Sequence, residues 1–227
     1  MINKVFGIGL SRTGTTSLHD VLEKLGFNSV HFIAGLENDP DFKIVDEYDA
    51  LMDTPIPLIY QDLDKRFPNS KFILTTRNKE AWLTSMKWMF KHGKVMWTWW
   101  KGLHDYHLKF YGTKKYNESI LSRHFDLYHE NVKEYFRNRE NDLLILNIDK
   151  GIQVEKICDF LNKPRVSIEF PKANVRQKMS LSARLRYEFK DLSAKLIFEF
   201  KELLNYNHSL NLKDNIKYNF FKKFFEK

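Results

Sequence analysis

Val5-Phe6-Gly7-Ile8-Gly9-Leu10-Ser11-Arg12-Thr13-Gly14-Thr15-Thr16-Ser17-Leu18 is the stretch that decides the fold. Residues 5 to 10 are a short apolar run with β-branched Val5 and Ile8, which reads as a buried strand. A polar, glycine-containing loop follows. Beyond it Leu18, Val21, Leu22 and Leu25 recur at helical spacing until Gly26 supplies a C-terminal stop. Strand, loop and helix in that order form half of a βαβ unit.

The rhythm continues outward. Val30 to Ile33 is a candidate second strand, and Asp49 to Met52 a buried strand ending at Asp53-Thr54-Pro55. Ile59, Leu63 and Phe67 mark a helix over 57–67 that stops at Pro68, and Lys71 to Thr76 (KFILTT) is the clearest strand. Helices over 79–91 and 118–139, a strand over 143–148 and a helix over 152–161 complete the pattern. Strands alternating with helices predict an α/β fold: a three-layer, mostly parallel central sheet flanked by helices, of the P-loop NTPase-like kind. Two regions fall outside the alternation. Residues 86–111 hold four of the five tryptophans, and residues 181–227 form a basic, Phe-rich tail, expected to be helical, that ends FFKKFFEK. Neither carries a linker, so one domain over 1–227 is expected, with a core of about 1–178 and a C-terminal extension of about 179–227.

Composition bounds the function. With 227 residues, 43% hydrophobic, 29% charged, 9 Gly and 6 Pro, the chain is globular and neither disordered nor collagenous. A net charge of +8 favours an anionic ligand or surface without choosing one. Cys158 is the single cysteine, which excludes a disulfide framework or a Cys-based zinc site and points to a reducing, cytoplasmic setting. The apolar N-terminal run is too short for a signal peptide or a membrane span. No nucleic-acid motif is legible. The tail is suited to docking on the core, to a partner, or to peripheral contact with an anionic membrane.

The loop is where the chemistry begins. Where a strand turns into a helix, successive backbone N–H groups and the positive end of the helix converge on one point, a geometry that binds phosphate. Gly9 and Gly14 have Walker A spacing, but Thr15 stands where the lysine belongs, so an ATP or GTP hydrolase would lack its phosphate-reaching cation. Arg12, inside the loop, supplies a cation whose fork suits an anion with several oxygens.

Ser11-Arg12-Thr13-Gly14-Thr15-Thr16-Ser17 resembles the 5′-phosphosulfate loop of the sulfotransferases that use 3′-phosphoadenosine 5′-phosphosulfate (PAPS), with Arg12 in place of that family's lysine. The resemblance continues at Arg77 after KFILTT and at Ser85 eight residues later, which implies the arginine and serine that hold the donor's 3′-phosphate, with Trp82 where relatives often carry tryptophan. Residues 143–164 and the loop Phe170-Pro171-Lys172-Ala173-Asn174 resemble the family's C-terminal stretch, and Arg176 and Lys178 lie where relatives close a basic loop over the 3′-phosphate. The resemblance thus spans residues 5–178. It implies PAPS as sulfuryl donor, no metal, and a hydroxyl or amine acceptor on a small molecule, lipid or carbohydrate.

Sulfuryl transfer requires a base near the acceptor proton. Relatives place a histidine in an H-x-P context some twenty residues before the 3′-phosphate arginine; here Asp53-Thr54-Pro55 stands 24 residues before Arg77 (77 − 53), which makes Asp53 the candidate base. An ordinary aspartate, with a pKa of about 3.9, is a feeble base toward an alcohol, so either an apolar pocket raises it or the proton leaves late. Arg12, with Thr15 and Thr16, is the candidate for stabilising charge on the departing oxygen. His104, His107, His124 and His129, without a carboxylate or cysteine at metal spacing, read as surface and interface residues. The Trp-rich region reads equally as an acceptor wall or as helix packing. Two other classes stay open at this level: a nucleotide or nucleoside kinase, and an inactive nucleotide-binding or adaptor protein.

Overall fold

A computed structural model describes residues 3–92, 101–151 and 154–166, with Leu185 and Leu192 as isolated positions. The chain divides into two compact units, residues 1–78 with 127–174 and residues 79–126 with 175–227.

The first unit carries a five-stranded parallel sheet built from β1 (Val5–Gly7), β2 (Ser29–His31), β3 (Ala50–Met52), β4 (Lys71–Thr76) and β5 (Leu143–Asn147), in the order β2-β3-β1-β4-β5. The central strand β1 is thus flanked by strands that follow it in the chain on both sides. That makes the carboxyl end of β1 the topological switch point, where open α/β sheets place their ligands.

Alternation along β1 sorts the two faces. Val5 joins Leu18, Val21 and Leu22 of α1 (Thr15–Lys24), Met52, Ile73 and, from the short helix Val154–Phe160, Val154 and Ile157 in one buried aliphatic core. Cys158, the single cysteine, is a free thiol buried in the same core. Phe6 points the other way, its ring 5.4 Å from Phe72, which in turn lies 4.9 Å from Phe136. Tyr60 of α2 (Ile56–Arg66) closes this second layer against Tyr128 and Tyr135. Helices on both faces of one parallel sheet make the three layers expected of the α/β class.

The second unit is helical over its described residues. It contains α3 (Lys79–His92), α4 (Lys101–Tyr111) and the first half of α5 (Glu118–Tyr135); we number the Val154–Phe160 helix α6. Trp82 is fully buried with its ring 4.9 Å from Phe125. His107 in this unit and His129 in the first, expected among surface and interface residues, are buried at 2% and 8% exposure. His107 and His124 pack edge-on against Tyr111 at 5.2 and 4.9 Å, so an imidazole on an apolar helix face has been taken into an aromatic layer. Trp97, Trp99, Trp100 and, apart from Leu185 and Leu192, the tail over 181–227 whose helical character was expected lie outside the described residues.

Candidate functional site

The loop after β1 is held by four hydrogen bonds. Ile8 N–H donates to the Ile73 carbonyl at 2.9 Å, continuing the sheet, and the buried Tyr128 hydroxyl donates to the Ile8 carbonyl at 2.6 Å. Thr13 Oγ1 donates to the Leu10 carbonyl at 2.6 Å; with its proton so committed, it accepts from Thr75 Oγ1 at 2.9 Å. Gly9 is where β4 comes closest: a Cβ there would sit 1.9 Å from Thr75 Oγ1, which only glycine avoids.

The loop then opens into α1. Gly14 caps that helix in the left-handed conformation (φ 91°) with no side-chain cap, and the first turn holds no acidic residue. Gly14 thus brings no side chain of its own to cap α1, which suits a helix end that takes an anion. Thr13, Thr15 and Ser17 are buried, while Arg12, Gly14 and Thr16 are partly exposed. Arg12 (φ 72°), Phe32 (φ 73°) and Asp53 (φ 64°) all adopt left-handed backbone conformations. They lie just beyond the carboxyl ends of β1, β2 and β3, and such conformations cost a side-chain-bearing residue about 1 kcal/mol or more each.

Arg77, one residue beyond β4, donates from Nη1 to the Arg12 carbonyl at 3.3 Å. Its Nε is buried and makes no hydrogen bond among the described residues; the Asp149 carboxylate is 4.0 Å away. Asp149 is itself occupied by the Asn78 amide and is fixed through the Asn147 side chain, which accepts from Asp149 N–H at 2.9 Å. A guanidinium with a buried, unsatisfied donor is suited to a further anionic partner. Ser85 lies on α3 in the second unit and is half-buried. Arg176, Lys178 and the Phe170–Asn174 loop fall outside the described residues.

Asp53 sits against the loop. Its Oδ1 accepts from the Ser11 hydroxyl at 2.9 Å and from the Thr54 amide at 2.8 Å, and its Oδ2 is 3.1 Å from His31 Nε2. Burial pushes the Asp53 pKa up, but the charge and hydrogen bond of His31, then the Ser11 hydroxyl and the Thr54 amide, outweigh it and hold the carboxyl at about 2. This corrects the first of the two sequence expectations: no apolar pocket raises Asp53, because three donors converge on it.

His31 is the residue that sequence reading missed. The β2–β3 register pairs His31 with Met52, so the ends of the two strands bring the histidine beside Asp53. Its Nε2 is also 3.1 Å from Thr15 Oγ1 and 3.3 Å from Thr16 Oγ1. The signal was available in one form: a histidine and an aspartate closing two neighbouring parallel strands at the end where the glycine loop lies.

The family can now be stated. The sulfotransferase domain family matches residues 4–47 and 42–179, and the chain belongs to that family. It is also similar to the Ava biosynthesis cluster protein M of Aspergillus versicolor, 26% identical over 208 residues that cover 74% of this chain and 79% of that protein. A crystal structure of a sulfotransferase from Alicyclobacillus acidocaldarius resembles it at 15% identity and a TM-score of 0.47, over 92% of this chain and 97% of the other. Among the described residues no helix is long and apolar enough to cross a membrane.

Proposed function

We propose that this sulfotransferase-family protein moves a sulfuryl group from PAPS to a hydroxyl or amine of a small-molecule, lipid or carbohydrate acceptor. The observation that carries the reading is the bond from Arg77 to the Arg12 carbonyl, which ties a cation with an unsatisfied buried donor to the rim of the glycine loop. One adenosine bisphosphate needs two anion sites joined in this way. A kinase is disfavoured by Thr15 in the Walker lysine position and by the family match.

When bound, the donor supplies the sulfuryl group and a phosphate oxygen as leaving group. Ser11, Thr13, Gly14, Thr15, Thr16 and Ser17 form the loop that holds its 5′ end, and Arg12 places positive charge where the leaving oxygen gains its electron pair. Arg77 binds the 3′-phosphate. Ser85 and Arg176 are assigned to the same phosphate on the family resemblance. As the acceptor oxygen or nitrogen bonds to sulfur and the sulfur–phosphate oxygen bond breaks, the acceptor's proton passes to Asp53. With its carboxyl held at about 2, Asp53 accepts that proton late, once bond formation has made the acceptor strongly acidic. Oδ1 already takes two hydrogen bonds and Oδ2 one, so Oδ2 is the oxygen with capacity to receive it. A cytoplasmic setting belongs to the same proposal.

Transfer of label from radiolabelled donor to pooled acceptors tests it. Labelled product from at least one pool supports the reading. No product from any pool, with the desulfated nucleotide still bound, would instead identify a regulatory nucleotide-binding member of the family.

A further inference from the structure

We propose that His31 fills the divalent-cation position of the glycine loop: its imidazole, acting as a neutral N–H donor, keeps Mg²⁺, and with it Mg²⁺-bound nucleoside triphosphates, out of the site. The inference goes beyond the donor reading above and does not depend on it.

In a Walker-type loop the Ser or Thr that follows the lysine position ligates Mg²⁺ through its hydroxyl, and an aspartate facing the loop helps to hold the ion. This chain keeps both groups. Counted from Gly9 and Gly14, Thr15 stands at the lysine position and Thr16 at the metal-ligand position. Asp53 follows β3, which pairs in parallel with β1, so its carboxylate emerges at the end of the sheet where the loop lies. A hydroxyl and a carboxylate are hard oxygen ligands, the type that suits Mg²⁺ and Mn²⁺.

His31 Nε2 touches both. It lies 3.1 Å from Asp53 Oδ2 and 3.3 Å from Thr16 Oγ1, with Thr15 Oγ1 at 3.1 Å. Two lone pairs do not face each other at such a distance, so Nε2 carries a hydrogen and gives it to the carboxylate. No positive charge on the ring is required. The other carboxylate oxygen is already committed, because Oδ1 accepts from the Ser11 hydroxyl and the Thr54 amide. An ion bonded at about 2.0–2.1 Å to the loop-facing side of Oδ2 and to Thr16 would therefore have to displace the imidazole from both oxygens. The β2–β3 register, which sets His31 beside Met52, holds the ring in place. With the His31 and Asp53 side chains only 14% and 16% exposed, a hydrated ion finds little open surface there, and Mg²⁺ gives up its water reluctantly. Without the ion that bridges its β- and γ-oxygens, a triphosphate loses the partner that neutralises it in a nucleotide hydrolase.

Mn²⁺ alone, added to the full-length protein and followed as the free ion by electron paramagnetic resonance, is the probe. Wild type and Asp53→Asn are expected to bind it equally weakly. His31→Ala, which leaves the carboxylate and the hydroxyl but removes the ring, should bind one Mn²⁺ about tenfold more tightly than wild type or better, and the double variant His31→Ala/Asp53→Asn should lose that gain. A folded His31→Ala protein that binds Mn²⁺ no better than wild type overturns the inference, as does a gain that survives Asp53→Asn. In the wild-type protein, where no variant has to fold, Mn²⁺ should leave the His31 ring resonances sharp; their selective broadening would place the ion beside Asp53 with the ring still present and overturn the inference too. Failure of the donor reading looks different: adenosine 3′,5′-bisphosphate would bind no better than ATP, whatever the Mn²⁺ results.

Discussion

Arg77 reaches across from the end of β4 and hydrogen-bonds, from Nη1, the backbone carbonyl of Arg12 at 3.3 Å. The contact joins two segments 65 residues apart in the chain and does so through the main chain of the loop. Arg77→Ala should weaken adenosine 3′,5′-bisphosphate by about 1.5–3 kcal/mol, roughly tenfold to a hundredfold, while adenosine 5′-monophosphate binding falls much less. Calorimetric titration of both nucleotides checks this; equal losses for the two would show that Arg77 only shapes the loop.

Asp53→Asn removes the proposed proton acceptor but keeps its size. Turnover with a good acceptor is expected to fall at least tenfold, with the affinity for the bisphosphate changed less. Turnover within a few fold of wild type would remove Asp53 from the chemistry.

The same carboxylate gives a stability prediction with a definite sign. Its pKa is lowered from 3.8 to about 2 by folding, so its contribution is fully present above the unfolded value and is lost as pH falls through the folded one. The shift corresponds to about 2 kcal/mol. Denaturant unfolding of wild type and Asp53→Asn should show the wild-type advantage constant above about pH 5 and shrinking between about pH 4 and 2. An advantage that grows on acidification would contradict the assignment of His31, Ser11 and Thr54 as its stabilising partners.

The loop depends on two positions outside its polar residues. Tyr128→Phe deprives the Ile8 carbonyl of a 2.6 Å hydrogen bond in a buried setting and should cost about 1–3 kcal/mol of stability. Gly9→Ala would drive a methyl into Thr75 Oγ1 and should cost a similar amount, about 1–3 kcal/mol, and in addition abolish sulfate binding by displacing the loop. Thermal unfolding with and without sulfate separates the two, since Tyr128→Phe should retain the stabilisation by ligand that Gly9→Ala loses.

Local pattern made much of this legible. KFILTT is a strand over Lys71–Thr76 as read, because a short apolar run between PNS and RN has no competing periodicity. The first strand was read to Leu10 but ends at Gly7: Gly9 lies so close to Thr75 that the chain must turn there, and hydropathy does not register close approach. The helix read over 118–139 stops at Tyr135, where Arg139 N–H turns back to the Phe136 carbonyl and the Arg139 guanidinium pairs with Asp64. Residues 101–111 form a separate helix that the surrounding tryptophans obscured. In the candidate site, the glycine loop could be picked out from its spacing and Arg77 from the family resemblance. His31 and the low pKa of Asp53 could not, because the pairing arises from the register of two three-residue strands and 22 residues (53 − 31) separate the partners. Nothing local in the chain encodes that distance.

The most direct measurement is a crystal structure of the protein soaked or grown with adenosine 3′,5′-bisphosphate. One nucleotide is expected, with its 5′-phosphate on the amides and hydroxyls of residues 13–17 and its 3′-phosphate on the Arg77 guanidinium. A nucleotide bound elsewhere, or seated on the loop with its 3′-phosphate turned away from Arg77, would contradict the account.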